Sequence, residues 1–313
     1  MQKVVIIGGG PAGLTAGIYA GRAQLEPLLI AGNLLGGQLT LTHRVENYPG
    51  FPEPISGQEL AQLIQRQAEH FGTRILYDEV TEVDLSGSPL KVRTQGNAYQ
   101  TQALIIATGV SPRKLGGSGE AEFTGRGVSY CAVCDGFFYQ GKRVAVVGGG
   151  DAAVKEALFL TRFAEQVTVI HRRDRLRATQ VLQQRAFANE RIDFISDSVV
   201  REIVGQQVVT GVQVENVKSG DVWLLPVDGV FVYIGSIPNT EFLRGELDLD
   251  EQGYIVANEQ GHTSRRGVFA AGDVRKGVLK QVATAVGSGA VAAMEAEKYI
   301  AELEGRAYPA RRE

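Results

Sequence analysis

Near the N-terminus the chain reads Val4-Val5-Ile6-Ile7-Gly8-Gly9-Gly10-Pro11-Ala12-Gly13. The four β-branched residues predict a short buried strand, and the glycines predict a tight turn into the alanine-rich stretch Leu14 to Ala20. Leu28-Leu29-Ile30 then reads as a second strand. The pattern returns at Val144-Ala145-Val146-Val147-Gly148-Gly149-Gly150-Asp151-Ala152-Ala153, followed by Val154 to Leu160 and by Val167-Thr168-Val169-Ile170. Each copy is strand, glycine turn, helix, strand: a parallel βαβ unit. The first glycine allows the turn, the second lets the backbone approach a pyrophosphate, and the third position must be small where helix meets strand. Gly13 and Ala153 fill that third place. The helix N-terminus offers free N–H groups and a partial positive charge to an anion. One such turn is a weak sign, whereas two in the required context point to two dinucleotide sites.

The residues just after the second strand of each unit separate the ligands, because an NAD site places an acid there and an NADP site needs cations for the extra phosphate. After Ile170 comes His171-Arg172-Arg173-Asp174-Arg175-Leu176-Arg177, with no acid at the strand end. That composition favours NADP; the plain alternative is a solvated basic surface. In the first unit Ala31, Gly32 and Asn33 hold the corresponding region, so the acid rule leaves its ligand open.

The chain has 313 residues, enough at about 150 per domain for about two domains. With 44% hydrophobic and 21% charged residues and a net charge of -3, it is excluded from disordered chains, collagen-like repeats and polycations that bind nucleic-acid backbones. Only Val4 to Ile7 precede the glycines, short of the ~7–15 apolar residues of a signal-peptide core. No apolar run approaches the ~18–20 residues of a membrane helix, so a cytoplasmic location is expected. Between the two units, extended runs flank the Gly87-Ser88-Pro89 turn and lead to Ala103-Leu104-Ile105-Ile106-Ala107-Thr108-Gly109. A similar meander near Val208–Val214 precedes Val230-Phe231-Val232-Tyr233-Ile234-Gly235. The expected class is α/β, with two Rossmann-like dinucleotide-binding domains. Ser288 to Leu303 has a helical pattern, and the tail Gly305 to Glu313 has none.

The two cysteines stand together in Cys131-Ala132-Val133-Cys134-Asp135. Two intervening residues permit a disulfide, and a helix N-terminus or a cation would make one thiol a good nucleophile. A structural zinc normally takes four ligands and the chain has no second cysteine pair, so no metal is expected; inert buried cysteines are the other alternative. Asp135 is either a turn residue or the acid that protonates a leaving thiolate. Two dinucleotide turns and a cysteine pair call for a relay between nicotinamide and disulfide, and a flavin is the natural two-electron carrier. FAD is therefore expected at the first turn and NADPH at the second.

These residues resemble a known family, the low-molecular-weight, bacterial-type thioredoxin reductases. The resemblance spans essentially the whole chain. It is carried by Gly8 to Gly13, Gly36-Gly37-Gln38-Leu39, Glu46-Asn47-Tyr48-Pro49-Gly50, Ala107-Thr108-Gly109, Cys131 to Gly136, His171 to Asp174 and Gly272-Asp273. It implies that Gly8, Gly10, Pro11, Ala12 and Gly13 lie under the FAD pyrophosphate. Gly37, Gln38, Asn47, Val80, Thr108 and Gly109 would line the same cofactor. Gly272 and Asp273 would hold the ribityl chain, and Lys280, Gln281 and Val282 would stand near the isoalloxazine. Cys134 would face the flavin, Cys131 would attack thioredoxin and Asp135 would be the general acid. Gly148, Gly150, Asp151, Ala152 and Ala153 would bind the NADPH pyrophosphate, with His171, Arg172, Arg173 and Arg177 around the 2′-phosphate.

The resemblance further implies a homodimer, with the NADPH domain (113–245) inserted into an FAD domain built from 1–112 and 246–313. It also implies a domain rotation that shows the flavin alternately to NADPH and to the disulfide. Departures from the family pattern are Ala152 in place of a hydroxyl residue, Lys155-Glu156 in place of two acids, and Lys280 in place of an arginine. A related branch takes its electrons from ferredoxin, and a redox-sensing flavoprotein without turnover is a further alternative. The aromatic Tyr308 in the tail reads either as a cover for a flavin face or as part of an unstructured end.

Overall fold

The computed structural model describes residues 1–42 and 45–306; residues 307–313 of the tail, Tyr308 included, lie outside the described residues. The chain divides into two compact units, Met1–Ser111 with Ile237–Glu313, and Pro112–Ser236. Residues 237–245, expected in the second domain, belong to the first unit because Leu243 is buried in its core beside Leu247 and Ile255.

In the first unit the strands run in the spatial order Arg74–Leu76, Leu28–Ile30, Gln2–Ile7, Ala98–Ile106, Leu90–Thr94, Val80–Asp84. The first four are mutually parallel, and the last two form an antiparallel meander on Ala98–Ile106. The far half of Ala98–Ile106 also pairs in parallel with Val268–Ala270, at Val268↔Leu104 and Ala270↔Ile106. Side chains alternate across the sheet, so the unbroken apolar run Val4 to Ile7 feeds two cores. Val4 and Ile6 join the helices on one face, while Val5 and Ile7 join the meander on the other.

The helix Gly57–His70 closes the first face through Leu60, Ala61, Ile64 and Ala68, one stripe of an amphipathic helix, and Ser56 Oγ caps it by accepting the Glu59 N–H at 3.1 Å. The helix Pro11–Arg22 packs along the helix Val282–Leu303. The latter begins earlier than the Ser288 expected from the pattern. Gln281 and Thr284 form a reciprocal capping box there, and the small residues of the first turns hide the apolar period. The smallness has a cause: a Cβ on Gly289 would sit 2.1 Å from the Ala12 carbonyl oxygen.

The second unit has a five-stranded parallel sheet in the order Ile192–Ile195, Gln166–Ile170, Arg143–Val147, Gly229–Val232, Val128–Ser129. Ser198–Gly205, Val209–Asn216 and Val222–Leu225 form a separate antiparallel sheet. In both units the glycine turn leaves the carboxyl end of a central strand where the strand order reverses, the place where open α/β sheets bind ligands. Among the described residues, no helix is long and apolar enough to cross a membrane.

Candidate active site: two glycine turns and a disulfide

The first turn is set by close backbone approach. Gly8 has φ +114°, and a Cβ there would lie 2.3 Å from the Ala107 oxygen; a Cβ on Gly13 would lie 1.9 Å from the Gly8 oxygen. At Gly10, by contrast, a Cβ would meet nothing within 4 Å. The helix begins at Pro11, Gly10 is its extended cap residue, and no side chain caps it. Its leading N–H groups therefore form an anion cradle with an open face. Ala12 is buried, and Gly37 approaches so closely that its Cβ would stand 3.1 Å from Gly10 Cα.

Around this cradle the first unit gathers several of the expected residues. The Gly272 N–H donates to Ser288 Oγ at 2.8 Å. Asp273 lines a cavity of about 220 Å³ with Gly272, Leu279, Thr284 and Ser288. Burial raises its carboxyl above the usual range, and the charge of Lys280 works against that rise. Lys280 Nζ lies 2.6 Å from Tyr254 Oη and 4.5 Å from the centre of that ring. Gln281, the helix cap, accepts from Asn47 Nδ2 at 2.9 Å, and Val282 packs on the adjoining core. Gln38 Nε2 donates to the Val110 carbonyl. Thr108 Oγ donates to the Asn239 carbonyl at 2.7 Å, and the Asn239 N–H donates to the Gly109 carbonyl at 3.1 Å. Val80 is half-buried and packs on the core of the sheet's other face.

The second turn repeats the path with different neighbours. Gly148 has φ +147°, and its Cβ would lie 2.3 Å from the Tyr233 oxygen and 2.9 Å from Ala153 Cβ. Gly149 lies beneath the His171 ring, whose Nδ1 would be 2.5 Å from an added Cβ. The Gly149 carbonyl accepts the N–H groups of Arg177 at 2.6 Å and Ala178 at 3.1 Å, tying the arginine loop to the turn. Arg172, Arg173 and Arg177 are exposed, and His171 is buried. Burial, assisted by these three arginines, pushes the His171 imidazole below its ordinary value. Gly150 is the extended cap of the helix Asp151–Leu160, again with no capping side chain and with open space where its Cβ would be. Ala152 is exposed, and Asp151 accepts the Thr179 N–H at 2.6 Å.

Cys131 and Cys134 form a disulfide in the second unit. Cys131 caps the short helix Ala132–Asp135, with its Sγ accepting the Cys134 N–H at 3.1 Å. Cys131 is half-buried, Cys134 is exposed, and Asp135 stands half-buried next in the chain. Of the alternatives open at the sequence level, zinc ligation and inert free thiols give way to the bonded pair.

A family model described as Pyridine nucleotide-disulphide oxidoreductase matches residues 2–289. The chain is 48% identical over 306 residues to a thioredoxin reductase of Listeria monocytogenes, covering 97% of this chain and 95% of that protein. It is 47% identical over 314 residues to a thioredoxin reductase of Streptomyces coelicolor, covering 99% and 98% of the two chains. The chain belongs to the thioredoxin reductases. The solved structure of the Lactococcus lactis thioredoxin reductase superposes on it with a TM-score of 0.95 at 45% identity, covering 96% of this chain and 100% of that one. The redox-active pair of this thioredoxin reductase is Cys131–Cys134, and its family implies a flavin and a pyridine nucleotide.

Four residues of this thioredoxin reductase, to which the sequence assigned no role in the site, take part in its geometry. Asn239 lies far from Thr108 in the chain, yet it bonds Thr108 and Gly109 and takes the Ser111 hydroxyl proton on its Oδ1 at 2.7 Å. Glu79, in the segment between the strands Arg74–Leu76 and Val80–Asp84, reaches the end of the second strand, where its carboxylate accepts from Asn33 Nδ2 at 3.2 Å. The acid missing after Ile30 in sequence is thus present in space. Tyr233 Oη accepts the N–H of Ala132, next to Cys131, and Glu156 is buried on the helix Asp151–Leu160. Glu156 lies in the second βαβ unit and Tyr233 in the run Val230 to Gly235, and Asn239 and Glu79 reach their partners only through the fold.

Proposed function

We propose that this chain is an FAD-dependent thioredoxin-disulfide reductase that draws its electrons from NADPH. The observation that carries the choice of donor is the second turn: its carbonyl at Gly149 anchors a loop bearing Arg172, Arg173 and Arg177, with no acid at the strand end. Arginine forks suit the 2′-phosphate of NADPH and not the bare ribose of NADH. The fit of the two nucleotides rests on the two uncapped helix starts and on the open space at Gly10 and Gly150.

Gly8 to Gly13 would hold the FAD pyrophosphate. Gln38, Asn47, Thr108 and Gly109 would lie along the cofactor, Asp273 would accept from ribityl hydroxyls, and Lys280 to Val282 would border the ring. When bound, FAD supplies the two-electron link between a nicotinamide hydride and a disulfide. Gly148, Gly150 and Ala153 would hold the NADPH pyrophosphate. In the reduced chain the Cys131 thiolate attacks the thioredoxin disulfide and one thioredoxin sulfur leaves, taking a proton from Asp135. Cys134 then attacks Cys131 Sγ, which restores the Cys131–Cys134 bond and releases the second thioredoxin sulfur. A homodimer and a cytoplasmic location belong to the same proposal.

Steady-state thioredoxin reduction by the flavin-loaded chain tests it. Turnover with NADPH well above that with NADH, abolished in Cys134→Ser, is expected. Turnover supported by reduced ferredoxin and not by NADPH would replace the donor in this reading, and thiol-dependent partner binding without turnover would replace the reading itself.

A further inference from the structure

Two hydroxyls from outside the redox helix pin the backbone of Cys131. Ser129 Oγ accepts the Cys131 N–H at 3.0 Å and donates to the Cys131 carbonyl at 3.2 Å. On the next peptide, Tyr233 Oη accepts the Ala132 N–H at 2.8 Å. The peptide groups on both sides of the cysteine are therefore fixed by side chains, at the residue whose sulfur caps the helix and accepts the Cys134 N–H. Tyr233 follows the strand Gly229–Val232, so a sheet element reaches up to hold the redox turn.

Close by stands a carboxyl that the mechanism does not use. Glu156 is buried on the helix Asp151–Leu160, which packs against the redox helix. Burial, and after it the charges of Glu156 and Asp135, raises the Tyr233 phenol, so its proton stays on throughout the working pH range. Burial pushes Glu156 up to about 7, with Lys155 opposing. The charged and titratable neighbours are Lys155 on the same helix and the Tyr233 phenol, on which Asp135 of the redox helix also acts. The strands Arg143–Val147 and Gln166–Ile170 bring Val146 and Val169 to the same core, and the helix Gln180–Phe187 brings Ala186.

We propose that Tyr233 is a positioning residue for the Cys131 thiolate, and that Glu156 beside it makes the reactivity of that thiolate depend on pH in a second step. The proposal rests on the assignment of Cys131 as the attacking thiol. A thiolate at a helix start is stabilised by the N–H groups aimed at it, and it is stabilised only while the turn keeps Sγ in the cap position. Tyr233 keeps it there by holding the Ala132 N–H. As Glu156 ionises, a negative charge appears on the helix packed against the redox helix, beside the phenol that holds the Ala132 N–H, and disfavours the thiolate.

The test is alkylation of the flavin-loaded, full-length chain, reduced anaerobically with dithiothreitol and freed of reductant. Iodoacetamide is followed by mass spectrometry at each cysteine from pH 5.5 to 9.5. The parent is expected to label first at Cys131, with a two-step pH profile. Tyr233→Phe, which cannot accept the Ala132 N–H, should move the profile to higher pH and slow Cys131 labelling at pH 7 by about fivefold, at an unchanged plateau rate. Glu156→Gln should leave a single step at lower pH. Parent-like profiles in both variants, with flavin retained, would overturn the proposal. A Tyr233→Phe chain that loses flavin leaves the Glu156→Gln profile to decide: one step supports the proposal and two steps overturn it. Preferential labelling of Cys134 in the parent would instead overturn the assignment of the attacking thiol, an outcome distinct from either profile.

Discussion

Gly13 in the first unit and Ala153 in the second hold the same place in the same turn, and one methyl group separates them. A Cβ on Gly13 would fall 1.9 Å from the Gly8 oxygen, whereas Ala153 is accommodated and buried. Three residues on, the first helix buries Ala16 and the second buries Glu156. Behind the first turn stand Ala31, Gly32 and the Asn33–Glu79 pair; behind the second stand His171 and three exposed arginines. The shared feature is the backbone path and the open cap residue. What differs is the room under the helix, the charge at its foot and the sign of the loop beyond, and in the proposed function these differences suit one turn design to two nucleotides.

Exchanging the third position between the two turns should have the largest effect. Gly13→Ala should cost about 3 kcal/mol or more, because backbone must move to admit the methyl. Ala153→Gly should cost about 1 kcal/mol, the helix penalty of glycine. Urea unfolding, followed by flavin release for the first variant and by far-ultraviolet circular dichroism for the second, reads both; equal losses would mean that the two turns are packed alike.

The carboxyl under the second turn gives the next largest effect. The Glu156 carboxyl rises from 4.5 to about 7 on folding, so the folded chain holds a proton that the unfolded chain releases. Its contribution is therefore fully present below pH 4.5 and is lost as pH rises through about 7. Glu156→Gln should gain on the parent between pH 5 and pH 8 by on the order of 3 kcal/mol, while a variant at Ala16 should show no such trend. Parallel curves for Glu156→Gln and the parent would remove the buried charge from the account.

Removing the cations tests the loop beyond the turn. Arg172→Ala with Arg173→Ala should raise KM for NADPH by about 10- to 100-fold and leave KM for NADH almost unchanged. An unchanged ratio between the two nucleotides would disconnect the loop from the 2′-phosphate. The smallest effects concern the feature the turns share. Gly10→Ala and Gly150→Ala, where the added methyl meets no protein atom within 4 Å, should leave stability within about 0.5 kcal/mol. Each should weaken its own nucleotide about tenfold, read as FAD retention for the first and as KM for NADPH for the second.

Both turns, the strands that feed them and the cysteine pair were legible because each is local: a β-branched run, a glycine spacing and a Cys-x-x-Cys are written in consecutive residues. The start of the last helix was not, since its early turns are glycine- and alanine-rich to fit against Ala12 and carry no apolar stripe. The end of the inserted unit was misplaced because Leu243 reads as apolar in sequence whichever core it enters. Glu79, Asn239 and Tyr233 act across 46, 131 and 101 positions of chain, through strand pairing and hydrogen bonds that no window of residues contains.

In the proposed function, one chain carries reducing equivalents from NADPH through a bound flavin to the Cys131–Cys134 bond. Anaerobic titration of the flavin-loaded chain with NADPH, read by the flavin absorption band and by mass labelling of new thiols, tests it most directly. Bleaching of the band and labelling at both Cys131 and Cys134 are expected. A band that persists under NADPH yet bleaches with reduced ferredoxin would contradict that function.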